Sequence, residues 1–293
     1  MQRAFEALIR KEFPLLRVSL VATKGVTKFF VEPNTIEELV RILECVEVQG
    51  LPFFVVGASA NTLWGDGFFN GVVISTRKLT RIERLSESLV KVYSGVKFNE
   101  LIRYCASIGL SGLELLYGIP GTIGGALVMN AGAFGCCVSD CLKEVEVYTC
   151  KGNVEKLIRD EIQFDYRRSS LRKYVILSAV FELKKDETAL IRKRMVDVIN
   201  IRKMKFPKGS TLGSVFKNPG THFAGELIEL AGLKGYRIGS SYISTKHANF
   251  FISDRFGCAT DYVKLIEFVK EKVLKEFNVT LEEEIVYAGV FAG

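Results

Sequence analysis

The chain has 293 residues, of which 48% are hydrophobic and 25% charged, the balance of a folded globular protein with one large domain or two to three small ones. No run approaches the ~18 uninterrupted apolar residues of a membrane span, and seven cysteines, an odd number in a chain this long, argue against a disulfide framework and for reduced thiols in the cytoplasm. The excess of 40 Lys+Arg over 33 Asp+Glu, a net +7, suits an enzyme of anionic ligands as well as it suits weak nucleic-acid contact.

The opening MQRAFEALIRKEF lacks the apolar core of a signal peptide and reads as an amphipathic helix. TIEELVRILECVEVQG predicts a helix, with Thr35 and Glu38 as a capping box and Gly50 as its stop. PFFVVG follows as a buried strand, then a small-residue turn Ala58-Ser59-Ala60-Asn61 and another strand beginning near Val72. LVKVYS predicts a strand, KFNELIRYCASIG a helix ending at Gly109, and CLKEVEVYTCKGNVEKL a hairpin turning at Lys151-Gly152. YVILSAVFEL is a further strand, followed by a helix from about Glu187 to Lys203. Beyond FPKGS come a strand-like GSVFKN, a helix FAGELIELAG, a strand ANFFIS, a helix from about Ala259 to Phe277 and a strand in VTLEEEIVYAG. This mixture favours α+β over a strictly alternating wound sheet, with a domain boundary near 187–205.

YGIPGTIGGALVMNAGAFG concentrates Gly118, Gly121, Gly124, Gly125, Gly132 and Gly135 in one stretch. It is neither a Walker A loop nor G-x-G-x-x-G. Pro120 biases Ile119 away from helix, so a helix should start after it, and unpaired N–H groups in its small-residue first turn would suit a phosphate. Close helix packing on a sheet is the alternative. The turn after Gly57 raises the same possibility as an anion nest, and two such turns favour a dinucleotide cofactor. Cys136, Cys137, Cys141 and Cys150 lie close together but in no C-x-x-C spacing, and His222 and His247 are far away, so packing thiols are expected and no metal.

Three further stretches carry groups able to do chemistry. In TLGSVFKNPG, alternation puts Ser214, Phe216 and Asn218 on one face and Val215 and Lys217 on the other. FDYRRSSL sets two arginines beside a tyrosine, where a guanidinium could meet a carboxylate or enolate, though a surface turn is the simpler reading. In LEEEIVYAG, Glu282 and Glu284 share one face of a strand. His247 in STKHANF orients either a ligand or a loop. No G-x-S-x-G elbow accompanies Ser214, which argues against an acylating serine.

GLSGLELLYGIPGTIGGALVMNAGAFG, YRRSS, GSVFKNP, AGELIELAGLKGYRIG and KHANFFIS, in that order, resemble the UDP-N-acetylenolpyruvoylglucosamine reductases, the MurB family, in its shorter form. The resemblance implies an α+β protein: an FAD-binding (PCMH-type) region of two α/β subdomains, 1–78 and 79–190, and a separate α+β substrate-binding domain, 191–293. It implies an FAD cradle from Gly57, Ala58, Ser59, Ala60 and Asn61 together with Gly118, Pro120, Gly121, Thr122, Gly124, Gly125, Asn130, Ala131 and Gly132. Ser59-Ala60 departs from the family's commoner Gly-Ser, and TKGVTKFFVEP lacks its usual double glycine. The implied reaction passes a hydride from NADPH through FAD to an enolpyruvyl ether, giving UDP-N-acetylmuramate for peptidoglycan synthesis. Arg167 and Glu284 would stabilise the enolate, Glu284 in its protonated form, and Ser214 would deliver the proton. Asn218, Lys217 and His247 would bind the UDP-sugar. The resemblance further implies a cytoplasmic monomer that neither enters a membrane nor binds nucleic acid. The rivals are an FAD-linked oxidase of a sugar or hydroxy acid on the same scaffold and a nucleotide-binding regulator.

Overall fold

The computed structural model describes residues 8–149, 152–220 and 222–291, which form two compact units. The first takes the stretch ending at Arg10, then Phe29–Ala58 and Gly71–Arg202; the second takes Lys11–Lys28, Ser59–Asn70 and the chain from Lys203.

Two larger sheets organise the fold, the first of them wholly within the first unit. One is antiparallel throughout, in the order Val154–Ile158, Leu142–Tyr148, Val175–Glu182, Leu89–Tyr93, Ile82–Arg84. Val145, Val147, Ala179, Phe181, Val90 and Val92 line its buried face. The helix Phe98–Ser107 packs there because Phe98, Leu101, Ile102 and Cys105, at i, i+3, i+4 and i+7, make a single apolar stripe. The hairpin expected between Leu142–Tyr148 and Val154–Ile158 forms, with Thr149 N donating to Asn153 O at 2.9 Å; Cys150 and Lys151 of its turn lie outside the described residues.

The other sheet runs Ile9–Pro14, Val26–Val31, Phe68–Ser75, Phe53–Val56. Phe53–Val56 lies parallel to Val72–Ser75, and the helix Ile36–Val48 buries Leu39, Ile42, Leu43 and Val46 against Val72 and Ile74. Thr35 Oγ1 accepts from Glu38 N at 3.1 Å, as a cap should. The Glu38 carboxylate reaches Asn34 N at 2.7 Å rather than Thr35 N, so the expected box closes one residue early.

The amphipathic helix expected over MQRAFEALIRKEF is contradicted only in its second half. Residues 1–7 lie outside the described residues, and Ile9–Pro14 is an edge strand. Pairing to a sheet edge gives Phe13 a buried site and seats Arg10 over the Phe30 ring beside Glu32; a short charged helix has no such partner.

In the second unit the helix Ala259–Phe277, at the limits its sequence predicts, packs on a small sheet of Arg237–Ile238, Ser241–Ile243 and Phe251–Ser253. Asp66 closes that helix's N-terminus: its carboxylate accepts from Ala259 N (2.9 Å), Thr260 N (2.8 Å), Thr260 Oγ1 (2.7 Å) and, from outside the helix, Lys24 N (2.9 Å). Burial works to raise the Asp66 pKa, but these donors outweigh it and hold the group below its ordinary value. GSVFKN is no regular strand; its strand-like pairings among the described residues are isolated bridges, Ser214 with Phe250 and Phe216 with Glu283. Of VTLEEEIVYAG only Val286–Ala288 is a strand, parallel to Thr62–Trp64. Among the described residues no helix is long and apolar enough to cross a membrane.

Candidate active site

In the first unit the glycine-rich segment is sewn down rather than open. Ile123 N donates to Val96 O and Gly124 N to Ser94 O, both at 2.9 Å. The helix start therefore does not present those two amides to a phosphate, contrary to expectation: the bridge between Lys97 and Thr122 brings the preceding backbone within reach first. What the segment offers is unmet side chains. Thr122 Oγ1, Ser94 Oγ and Asn130 Oδ1 are buried, with residue exposures of 2%, 1% and 6%, and have no hydrogen-bond partner among the described residues. Each such atom costs about 1–3 kcal/mol unless a ligand or ordered water completes it.

Gly57 lies against the same place. A Cβ there would sit 1.9 Å from Thr122 Oγ1, so only glycine lets the two loops meet. Gly118 (φ 91°) and Gly121 (φ 134°) take conformations closed to most side chains. A Cβ at Gly124 would approach Ser94 Cβ at 3.3 Å, and one at Gly132 would meet Cys137 Sγ at 2.8 Å. Pro120 and Gly125 are exposed, and Ala58 and Ala131 half-buried. The neighbouring thiols are packing groups: burial, then the charge of Asp140, pushes Cys141 up to about 11.

Arg167 is at φ 56° in the two-residue turn between Phe164–Asp165 and Arg168–Ser169. Its Nη1 donates to Gly132 O at 2.9 Å, which ties the arginine to the glycine-rich segment. Arg168 points outward to Asp165. Sequence reasoning missed Arg202, whose Cδ lies 2.8 Å from where a Gly118 Cβ would be. Burial and then the Arg167 charge lower its pKa, so two guanidinium groups lie close to each other in this corner of the first unit. Its signal, one arginine among the many basic residues of Thr188–Lys205, is invisible in sequence.

The second unit holds the remaining groups. Strict alternation fails at Ser214: Val215 and Phe216 are both buried, at 0% and 1% exposure. Asn249 is the reason. Its backbone oxygen accepts from Val215 N at 2.9 Å, its Oδ1 accepts from Phe216 N at 2.9 Å, and its Nδ2 donates to Phe216 O at 2.8 Å. A side chain thus replaces a neighbouring strand and lets the backbone after Ser214 turn. Glu284 N donates to Val215 O at 2.8 Å, which brings the Glu284 backbone beside the residue that follows Ser214.

Glu284 is pinned from its other side by Asn61, whose Nδ2 donates to Glu284 O at 2.9 Å while Asn61 O accepts from Val286 N at 2.9 Å. Ser59 takes a positive φ of 53° and accepts at Oγ from Trp64 Nε1 at 3.4 Å; glycine would suit that backbone without help. Ala60 is half-buried beside it. Glu282 is exposed and pairs with Lys217, and Glu283 pairs with Lys270 at 2.9 Å, so these two neighbours have different partners. Asn218 Oδ1 caps Ala224 N at 3.1 Å. His247 lies tilted against Phe206 and edge-on to Phe250, and its Nδ1 accepts from Asn249 N at 3.3 Å. Burial, then the Lys234 charge, lowers its pKa. The structure therefore gathers Ser214, Glu284, Asn61 and Asn249 in the second unit and Arg167, Thr122 and Gly57 in the first.

Comparison with known proteins decides the family. Residues 27–158 match the model of an FAD binding domain, and 205–288 match that of the UDP-N-acetylenolpyruvoylglucosamine reductase C-terminal domain. The reductase of that name from Listeria innocua is 38% identical over 96% of this chain and 95% of its own length, and that from Exiguobacterium sibiricum is 39% identical over 98% and 94%. The chain belongs to the UDP-N-acetylenolpyruvoylglucosamine reductase family. A crystal structure of the Thermus caldophilus reductase (MurB) superposes with a TM-score of 0.81 at 31% identity, covering 95% of this chain and 99% of that one. The MurB-like fold, an FAD-binding domain followed by the family's C-terminal domain, is thereby shown. The FAD-binding match spans Gly57, Ser94, Thr122 and Asn130, so the unmet buried oxygens fall within the matched FAD binding domain, and buried acceptors beside a glycine-lined loop fit a group of that chemistry.

Proposed function

We propose that this chain reduces the enolpyruvyl ether of UDP-N-acetylglucosamine enolpyruvate to UDP-N-acetylmuramate, with NADPH as reductant and FAD as resident cofactor. The observation that carries the reading is the set of buried, unmet oxygens at Ser94, Thr122 and Asn130, closed over by Gly57, within a chain of this reductase family. When bound, FAD supplies the hydride chemistry that no side chain can.

Thr122, Ser94 and Asn130, with the backbone of the two glycine-bearing loops, would hold the cofactor. Hydride addition at the methylene carbon leaves an electron pair on the α-carbon, delocalised into the carboxylate. Arg167 neutralises that charge with a guanidinium already aimed by its bond to Gly132 O. Ser214 donates its hydroxyl proton to the α-carbon, which requires exclusion of water because a hydroxyl is a weak acid. Glu284, held at its backbone by Asn61 and Val215, hydrogen-bonds the enolate in its protonated form. Lys217, Asn218 and His247 contact the UDP-sugar. We place the enzyme in the cytoplasm as a monomer.

The test separates the two half-reactions under anaerobic conditions. NADPH should bleach the bound flavin, and the enolpyruvyl ether, rather than oxygen, should rapidly restore its colour. Ser214→Ala should leave bleaching near normal and severely slow recovery. Equal loss in both halves rejects the role of Ser214, and rapid recovery with oxygen but none with the enolpyruvyl ether points to an oxidase.

A further inference from the structure

A turn that carries a bulky residue at positive φ holds its shape only where its surroundings fix it. Three side chains of the first unit, Ser169, Arg167 and Asn130, brace the turn that presents Arg167. Ser169 Oγ donates toward Leu127 O and Val128 O, at 2.8 and 3.0 Å. Arg167 Nη1 donates to Gly132 O. Asn130 Nδ2 donates to Asp165 O at 3.1 Å, two residues before the arginine.

Asn130 differs from the other two anchors. It is itself at φ 42°, a left-handed conformation that asparagine tolerates better than most residues. Its Nδ2 partner is a carbonyl, which only an N–H can approach, so the orientation of the amide is determined and Oδ1 faces away from the turn. That oxygen is buried and accepts from no group among the described residues. One amide therefore has a satisfied donor on the Arg167 turn and an unsatisfied acceptor within the stretch matched to the FAD binding domain.

We infer that Asn130 is a positioning residue that couples cofactor occupancy to Arg167: its Oδ1 accepts a hydrogen bond from an N–H or O–H of the bound flavin nucleotide, and its Nδ2 transmits the resulting order to the Arg167 turn. The inference rests on the flavin site of the proposed function. Satisfying Oδ1 fixes the amide, and a fixed amide holds Asp165 O more firmly. By linkage, a well-held turn strengthens flavin binding in return.

The exposed turn supplies its own assay, since trypsin cleaves after Arg167 or Arg168, and Tyr166 beside them is 51% exposed. In the wild-type chain, saturating FAD should slow this cleavage at least about fivefold, the low end of ordinary coupling. Asn130→Asp keeps the size and the acceptor but removes the donor. It should still bind FAD, cleave faster, and lose the protection. Asn130→Gly, which accepts the positive φ without strain, should lose both the protection and the wild-type position of the flavin absorption bands. Ser169→Ala loosens the same hairpin without touching the amide, and should cleave faster yet keep the wild-type protection ratio.

Circular dichroism matching wild type establishes that each variant is folded. Protection lost in both Asn130 variants and kept in Ser169→Ala supports the coupling. Wild-type protection in either Asn130 variant, or equal loss in Ser169→Ala, overturns it. A wild-type chain that binds no flavin rejects the proposed function, and this coupling with it; flavin binding without protection rejects the coupling alone.

Discussion

Asn61 lies in the loop expected to contact FAD, yet its side-chain amide is committed to Glu284 O at 2.9 Å. Replacing it with alanine removes that donor and leaves the half-buried Glu284 carbonyl to water or to nothing. A hydrogen bond of this kind contributes about 0.5–1.5 kcal/mol, and an acceptor left unmet costs about 1–3 kcal/mol, so Asn61→Ala should lower stability by about 1–2 kcal/mol. In a chain of this size that is a fall in melting temperature of a few degrees. The backbone bonds Glu284 N to Val215 O and Val286 N to Asn61 O survive, so the segment stays paired while the Glu284 peptide loses its outer restraint. Misplacing a reacting group by about 1 Å costs on the order of 100-fold in rate. Asn61→Ala should therefore slow recovery of reduced flavin by the enolpyruvyl ether about 10- to 100-fold and leave the FAD dissociation constant near wild type. Asn61→Asp, which keeps the shape but opposes the carbonyl with a second oxygen, should be at least as damaging. Stopped-flow recovery rates and flavin titration read the two quantities separately. Weakened flavin binding with normal recovery per bound flavin would refute the assignment and make Asn61 a cofactor ligand.

Gly57→Ala should destabilise the protein by about 1–3 kcal/mol and weaken flavin binding, because its Cβ meets Thr122 Oγ1 at 1.9 Å; adding Thr122→Ala removes that oxygen and should recover part of the stability, as read by chemical denaturation. Asp66→Ala should cost about 2 kcal/mol through the lost helix cap. The folded pKa of Asp66 is lowered, so its contribution is present above the unfolded value near 3.8 and disappears as pH falls through the lower folded value; wild-type and variant stabilities should converge there in acid melts. His247 has the opposite chemistry: a base with a depressed folded pKa makes the fold lose stability as pH drops below the unfolded value near 6.5, and His247→Gln should flatten that part of the melting-temperature profile.

Local signals were legible in the sequence where the cause is local. Thr35 as a cap, the Phe98–Leu101–Ile102–Cys105 stripe and the limits of Ala259–Phe277 are each set within a few residues of chain, and the structure has them. The family was legible because five stretches carry it in a fixed order. What sequence could not supply is which side chain is already engaged. Ile123 N and Gly124 N look available at a helix start until Val96 O and Ser94 O, nearly 30 residues earlier, are brought beside them. Val215 and Phe216 break the two-residue period because Asn249, more than 30 residues later, substitutes for a strand. The Ile9–Pro14 strand depends on a sheet edge that no window around it contains.

The same logic explains three asparagines, one in the first unit and two in the second. Asn61, Asn130 and Asn249 each hold a backbone carbonyl through Nδ2, namely Glu284 O, Asp165 O and Phe216 O. In each case the carbonyl lies within two residues of a group given a chemical role: at Glu284 itself, two before Arg167 and two after Ser214. Catalysis by orientation needs those backbones fixed to a fraction of an ångström, and a short amide with one donor face and one acceptor face can do this where a strand would be too long. An ionised aspartate could not donate to a carbonyl at all, and a serine would have to use one oxygen both to donate and to accept. Asn249 completes both faces on Phe216, which makes it purely structural. Asn130 completes only one among the described residues, and the open face is where a ligand can join the bracing of the Arg167 turn.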